Sequence, residues 1–549
     1  MAVMTGGELI VRTLASAGVD TVFGIISVHN IPMYDAMKRT GLIRPVPVRH
    51  EQAALLMADG YSRATGKLGV ALTSTGGGAA NGLVGMIESW WSSSSVLHIA
   101  GDADNRFIDQ NKGFLHEMKD QLGMLRSAAK WADRPGTGGD IPAKLGEAIR
   151  QAMSGRPRPV ALDTPINLQY FEEDFEVPVF EGFGRVTPSA DDVARAADVI
   201  RTAKRPLIWA GGGVVIADAG AELTALAEKL GAGVVTSLTG RGPMPEDHEL
   251  CIGALTLETP VNDLMKEADV LIAVGTRFIG GDTRNWTVEL PDTIVHLDVD
   301  DEELGRNYPV TVGVQTDARL GLAALLQALD GVSNTQPGWR ERCVQVRTVA
   351  RAGVRDRVKP YDGIMDAIRS NCPRDTVMVR DATVPAYTWG NRLLEIYKNR
   401  TSIHSASGAI GIGLPTANGA AVGSPGRRVI LMAGDGGFMY NLGELATAVQ
   451  EKLDVVILLF NDGGYGILRN IQDQQFEGRR TAVDLHTPDF VQMAKSFGLH
   501  SEKVDSVPGF GPAFTRAMAV PGPSLLEIDM RAIGPMASAY GGTSRRPTR

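Results

Sequence analysis

Cysteine is nearly absent from this chain. Three occur in 549 residues, Cys251, Cys343 and Cys372, far apart and odd in number. They suit neither a disulfide framework nor a zinc ribbon, and the expectation is a chain kept in a reducing cytoplasm. Aromatic residues are sparse, at 6%. No apolar run approaches the ~20 residues that a bilayer crossing needs. Residues 1–14 include Glu8 and lack a charged stretch followed by a long apolar one, so neither a leader nor a membrane partner is expected. Blocks of positive charge are missing too, apart from the short end at 544–549, and the net charge is −8. Nucleic acid is therefore not an expected partner.

Glycine, by contrast, is abundant, with 64 residues, and 44% of the chain is hydrophobic. That composition suits α/β layers joined by tight turns. At ~100–200 residues per domain, the length predicts about three domains. Three blocks of alternating short apolar strands and helical periodicity follow one another. The first, at 1–170, has strands expected at 21–26, 46–49, 69–73, 96–100 and 159–164. The second, at 188–330, has them at 206–210, 233–236, 270–274 and 293–298. The third, at 350–530, has them at 376–380, 428–433, 455–461 and 524–528. An acidic stretch at 170–187 and a Gly/Pro-containing one at 331–339 read as linkers, and 531–549 reads as a surface tail. The expected fold is α/β, with three doubly wound parallel-sheet domains. Such sheets bind ligands at the carboxyl ends of their strands.

Two adjacent strands of the third block end in chemistry-bearing loops. One runs into Gly434-Asp435-Gly436-Gly437, the next into Asn461-Asp462-Gly463-Gly464-Tyr465-Gly466. Parallel neighbours bring Asp435 and Asp462 to one sheet edge, where a magnesium or calcium ion finds oxygen ligands. The glycines let backbone approach a diphosphate, and a helix expected after Gly437 aims N–H groups at it. A plain strand-to-turn sequence remains the alternative for Gly-Asp-Gly taken alone.

These loops resemble those of the thiamine-diphosphate enzymes of the acetolactate synthase, benzoylformate decarboxylase and benzaldehyde lyase group. That family has Gly-Asp-Gly and then, about 27 residues on, an asparagine. Here 462 − 435 = 27, so Asp462 stands in the asparagine's place. The resemblance implies metal ligation by Asp435, Asp462 and the Gly464 carbonyl, with Asn461 as the fallback if the register differs by one. Gly434, Gly436, Gly437, Tyr465 and Gly466 then lie along the diphosphate.

The first block carries Arg49-His50-Glu51 at a strand-to-helix junction, followed by Met57-Ala58-Asp59-Gly60-Tyr61 and the glycine-rich stretch at 76–81. This too resembles the family. It implies that Glu51 hydrogen-bonds the aminopyrimidine ring and so relays deprotonation of the thiazolium C2. A helix-dipole role is the alternative for Glu51. The segment at 405–415 resembles the loop under the cofactor, with Ile410 as the wedge that bends it or, alternatively, as ordinary core. Asp381-Ala382-Thr383-Val384 resembles a diphosphate-contacting loop, with Thr383 as an oxygen donor. His29 falls where benzaldehyde lyase has its active-site histidine, and Val28 where benzoylformate decarboxylase has a serine. His116 stands where acetolactate synthases tend to have glutamine. His29 and His116 are proton-transfer candidates, and each could instead be a turn residue. Ser74, Leu468 and Ile471 complete the expected substrate pocket.

Gly211-Gly212-Gly213 lacks the spacing and acidic partner of a dinucleotide fingerprint. The stretch at 255–261 departs from the FAD binders of the family, so FAD is not expected. The resemblance implies a C–C lyase or carboligase acting on 2-oxo acids or aldehydes through a C2 ylide and an enamine. Its cofactors are thiamine diphosphate and Mg2+ (or Ca2+), and its assembly is a homodimer at least and a homotetramer in expectation. An acetolactate synthase and a non-catalytic cofactor-binding relic are the alternatives.

Overall fold

The computed structural model describes residues 2–180, 182–332 and 336–536. It contains three six-stranded sheets, each parallel throughout. The strands are near-continuous apolar runs; Val270–Val274 and Val455–Asn461 are buried at every position. Such strands need helices on both faces.

The N-terminal sheet runs, in space, Arg44–Pro47, Thr21–Gly24, Gly69–Thr73, Val96–Asp102, Val160–Pro165, Trp131–Asp133. The C-terminal sheet runs Ser402–His404, Val377–Arg380, Val429–Gly434, Val455–Asn461, Ser524–Asp529, His500–Val504. Counted within each domain, both have the order 2-1-3-4-6-5. The strand order reverses beside the first strand, and the crevice there lies above Gly24 and Thr73 in one sheet and above Arg380 and Gly434 in the other. The central sheet has the order 3-2-1-4-5-6 familiar from dinucleotide-binding folds. Its glycine triplet has a packing reason. A Cβ at Gly211 would lie 2.1 Å from the Gly275 carbonyl oxygen, and one at Gly213 would lie 2.6 Å from the Gly275 Cα.

The structure corrects several expectations. The stretch at 170–187 contains a strand, Glu172–Phe175, paired antiparallel with Ala2–Thr5. Its acidic side chains conceal it, because only Phe175 of the four is buried. The helix Trp339–Arg357 packs on the helix Thr259–Glu267 and the strand Cys251–Gly253. The indole of Trp339 donates to the Pro206 carbonyl at 2.8 Å. The boundary expected at residue 350 therefore falls inside a helix attached to the central domain. Part of the 331–339 linker lies outside the described residues, as does the tail beyond 536; the start of the expected tail instead belongs to the helix Met530–Ile533. In the three six-stranded sheets, five strands went unread: Trp131–Asp133, Cys251–Gly253, Val312–Gln315, Ser402–His404 and His500–Val504.

The N- and C-terminal domains meet through the helices Glu51–Thr65 and Gly413–Val422. Small residues let the two backbones nearly touch. A Cβ at Gly60 would lie 2.1 Å from the Thr416 carbonyl oxygen, and one at Gly419 would lie 2.0 Å from that of Met57. This contact fixes the helix that begins with Glu51 against the one that follows the Ile410 loop.

Candidate active site

Each residue of the Arg49-His50-Glu51 triplet has a separate physical task. The Arg49 N–H donates to Glu444 Oε1 at 2.9 Å and its guanidinium to Gln450 Oε1 at 2.8 Å, tying the strand end to the C-terminal domain. The His50 imidazole accepts from the Gln52 N–H at 3.1 Å and caps the helix. Glu51, the first helical residue, is left with its carboxylate facing Gly78 and Asn81. Asn81 Nδ2 donates to it at 3.1 Å, and a Cβ at Gly78 would lie 3.1 Å from Glu51 Oε1.

The same glycine abuts Ser74, whose Cβ would lie 2.9 Å from that added atom. Ser74 Oγ is 3.5 Å from His29 Nδ1. The rings of His29 and His116 stand edge to face with centroids 5.4 Å apart, and Phe114 flanks His29 at 6.2 Å. His29 is buried at 2% exposure, whereas His116 is exposed with φ at +63°. A non-glycine residue in that region is strained unless its surroundings hold it there. Burial, then the neighbouring His116, hold His29 below its ordinary pKa, against the pull of the Leu115 carbonyl and of Asp102. A neutral imidazole able to donate or accept follows. Glu51, Ser74, His29 and His116 thus form one cluster at the strand ends of the N-terminal sheet. Val28, also expected in the pocket, is 58% exposed.

The second cluster sits on the C-terminal sheet. Asp435 is buried at the end of Val429–Gly434, and Asp462 follows Val455–Asn461. The Asp462 N–H points at Asp435 Oδ1 from 3.4 Å. Burial, reinforced by Asp462, pushes Asp435 up to about 6, and burial raises Asp462 as well. Asn461 is committed elsewhere: its amide donates to Glu527 Oε1 at 2.9 Å and accepts from the Gly463 N–H at 3.1 Å. Thr383 is buried against Gly434, where a Cβ would lie 2.9 Å from its Oγ1. Gly436 is covered by the Tyr465 ring and Gly437 by Ile410, each 2.8 Å from an added Cβ. The helix expected after Gly437 instead begins at Asp435 and breaks into Asp435–Phe438, a 3-10 turn at Met439–Asn441, and Glu444–Gln450. The helix Gly466–Gln475 carries Leu468, 50% exposed, and the half-buried Ile471 and Gly466.

Comparison with known proteins gives the family. Family models of the thiamine pyrophosphate enzymes match in chain order: the N-terminal TPP binding domain at 4–124, the central domain at 193–326 and the C-terminal TPP binding domain at 385–528. This chain is a thiamine pyrophosphate enzyme. It is 34% identical to a probable 2-ketoarginine decarboxylase of Pseudomonas aeruginosa over 90% of this chain and 88% of the relative. It is 32% identical to a probable acetolactate synthase large subunit of Methanocaldococcus jannaschii, over 96% and 92% of the two chains. Acetolactate synthase isozyme 2 large subunit of Escherichia coli is 30% identical over 96% of each chain.

The cofactor of these enzymes, also called thiamine diphosphate, fits the residues on their own chemistry. Asp435 Oδ2 and Asp462 Oδ1 are buried and accept no hydrogen bond among the described residues. Buried carboxylate oxygens without donors are costly unless a cation satisfies them. The glycines at 434, 436 and 437 add no side chains of their own beside them, and Thr383, Tyr465 and Ile410 close over them.

The structure also places residues that the sequence reading passed over. Asp381 is fully buried and accepts from the N–H groups of Gly411 and Gly413 at 3.0 Å each, shaping the Ile410 loop. Gln121 accepts from the Gly76 N–H at 2.6 Å and donates to Asp163 and to the Gly101 carbonyl at 2.8 Å each. A Cβ on Gly101 would strike His29. Asp381 adjoins Thr383 in a segment already singled out, so proximity could have found it. Gln121 had no local signal, because its partners lie 20 to 45 positions away.

Proposed function

We propose that the enzyme cleaves or forms the bond next to the carbonyl of a 2-oxo acid, releasing CO2 and then an aldehyde or a ligated product. When bound, thiamine diphosphate supplies a carbon nucleophile and an electron sink for that step. Asp435, Asp462 and the Gly464 carbonyl would hold Mg2+, Gly434, Gly436, Gly437, Tyr465, Gly466 and Thr383 would bind the diphosphate, and Ile410 would be the wedge that bends the cofactor. Glu51 would hydrogen-bond the aminopyrimidine and supply the proton that this ring gains. His29 moves a proton at the substrate oxygen, His116 adjusts the charge state of His29, and Ser74, Val28, Leu468 and Ile471 bound the substrate.

One observation carries this reading: among the described residues, a glutamate carboxylate with an amide and no cation beside it heads a helix in one domain, while two aspartates in the other each keep one buried carboxylate oxygen without a hydrogen-bond donor. Catalytic groups need matched environments rather than paired charges.

Two copies complete the site in this proposal. Apolar side chains lie exposed near both clusters: Val84, Ile87 and Trp91 on the helix that follows Asn81, and Met439 and Tyr440 beyond Gly437. Burying them in a subunit interface would remove them from water. The central domain is proposed to work without FAD, which predicts a colourless protein.

The relatives' names favour two reactions, decarboxylation and acetolactate formation, and one screen separates them. Pyruvate, benzoylformate, longer and guanidino-bearing 2-oxo acids, benzoin and formaldehyde are each offered while CO2 and ligated products are followed. CO2 with free aldehyde from a long or cationic 2-oxo acid supports decarboxylation. Acetolactate from pyruvate alone supports the synthase. No turnover of any, together with no exchange of the cofactor C2 proton, identifies a relic and overturns the proposal.

A further inference from the structure

A carboxylate at 462, where the resembling family carries an amide, changes the electrostatics of the metal site. With Asp435 it puts two formal negative charges, rather than one, at the edge of the C-terminal sheet. Asp435 Oδ2 and Asp462 Oδ1 are both buried and lack hydrogen-bond donors. Beside them stands Arg469 on the helix Gly466–Gln475, its guanidinium 3.8 Å from Asp462 Oδ1. It donates to the backbone carbonyls of Asp462 at 3.3 Å and Gly463 at 3.4 Å, and pairs with Asp484 at 2.9 Å. Arg469 is anchored by Asp484 and only half turned to Asp462, so it offsets the added charge without occupying the space between the two aspartates.

We infer that Asp462 lets this protein load a divalent cation before, and independently of, the diphosphate, with Arg469 as the counter-charge of the two aspartates. The inference rests on the proposed cofactor reading and deepens it. Cation affinity of oxygen-ligand sites rises with the charge of the ligand set. Two carboxylates and the Gly464 carbonyl give a site that does not wait for phosphate oxygens. The same pair repels a bare diphosphate, since like charges a few ångströms apart in a partly buried setting interact strongly. Ion binding reverses that repulsion, so loading is ordered: ion first, cofactor second.

Asp462→Asn conserves shape and tests this by two effects of opposite sign. Mn2+ or Mg2+ is titrated calorimetrically into the cofactor-free protein. Thiamine diphosphate is then titrated with EDTA present, and again with the ion present. The wild type is expected to bind one ion per chain without cofactor, and Asp462→Asn at least tenfold more weakly. In EDTA the order inverts, and Asp462→Asn binds thiamine diphosphate more tightly than the wild type. General structural damage would weaken both. Arg469→Gln is expected to raise ion affinity several-fold, through loss of a neighbouring positive charge. Ion binding by the wild type that appears only once cofactor is present, or equal ion affinity in Asp462→Asn, overturns the inference and leaves the cofactor reading intact. Failure of cofactor and ion together to bind the wild type overturns the cofactor reading itself.

Discussion

Glu51→Gln changes one oxygen to nitrogen at the head of a helix and disturbs little packing. Turnover is expected to fall ~10²–10⁴-fold, the usual worth of a positioned proton-transfer group, while calorimetric affinity for thiamine diphosphate stays within a few-fold. His29→Ala is expected to lower kcat/KM at least tenfold with cofactor affinity unchanged; an unchanged kcat/KM would remove His29 from the mechanism. A third residue reports through pH. Burial, reinforced by Asp102, pushes Asp163 up to about 7 against the pull of Arg134, 2.6 Å away. The folded protein thus keeps a proton that the unfolded chain releases near pH 3.9. The stability Asp163 contributes is complete below about that pH and is lost as pH rises toward 7, by at most about 1.4 kcal/mol per pH unit for one proton. Asp163→Asn should flatten the fall of Tm across that interval; an unaltered profile would show that Asp163 is ionised throughout. At this scale the placements legible in the sequence were those set by nearby chain: Asp435 and Asp462 at successive strand ends, and Glu51 at a strand-to-helix junction. Gln121, Asp163 and Arg134 were not legible, because their meaning lies in long-range hydrogen bonds.

At the scale of elements, the contact between Glu51–Thr65 and Gly413–Val422 is the most exacting. A methyl at Gly60 or Gly419 would meet a carbonyl oxygen of the facing backbone at 2.1 or 2.0 Å, and neither helix can yield without moving its domain. Gly60→Ala and Gly419→Ala are each expected to cost at least about 2–3 kcal/mol, the upper range for overpacking, and to lower Tm. Gly353 is the control. It lies inside the helix Trp339–Arg357, and the nearest atom to an added Cβ is the Arg357 guanidinium at 3.8 Å. Gly353→Ala should stabilise by about 0.5–1 kcal/mol through helix propensity alone. Strands buried on both faces were readable as apolar runs. Those missed are short or lie near sheet edges: Ser402–His404 has three residues, and Val312–Gln315 ends in an exposed glutamine. Most of them are only partly buried, and Cys251–Gly253, buried throughout, is only three residues long, so their pattern is weak.

Over the whole molecule, the 2-1-3-4-6-5 order repeats in two similar sheets, each carrying one of the proposed half-sites, and the two motifs that end their strands were legible in the sequence. Which half-site faces which is not written in any local pattern, since it depends on the surfaces that two copies bury. If Glu51 of one copy serves Asp435 of another, Glu51→Gln and Asp435→Asn subunits, each inactive, should complement. Random reassociation makes half of the dimers mixed, with one intact site in two, so about a quarter of wild-type activity should return; none returning would place both half-sites in one chain. The most direct measurement is exchange of the cofactor C2 proton with deuterium, followed by NMR at equal cofactor occupancy in wild type and Glu51→Gln. The expected result is rapid exchange in the wild type and exchange at least a hundredfold slower in the variant. Equal rates in the two proteins would contradict the role assigned to Glu51, on which the proposed chemistry depends.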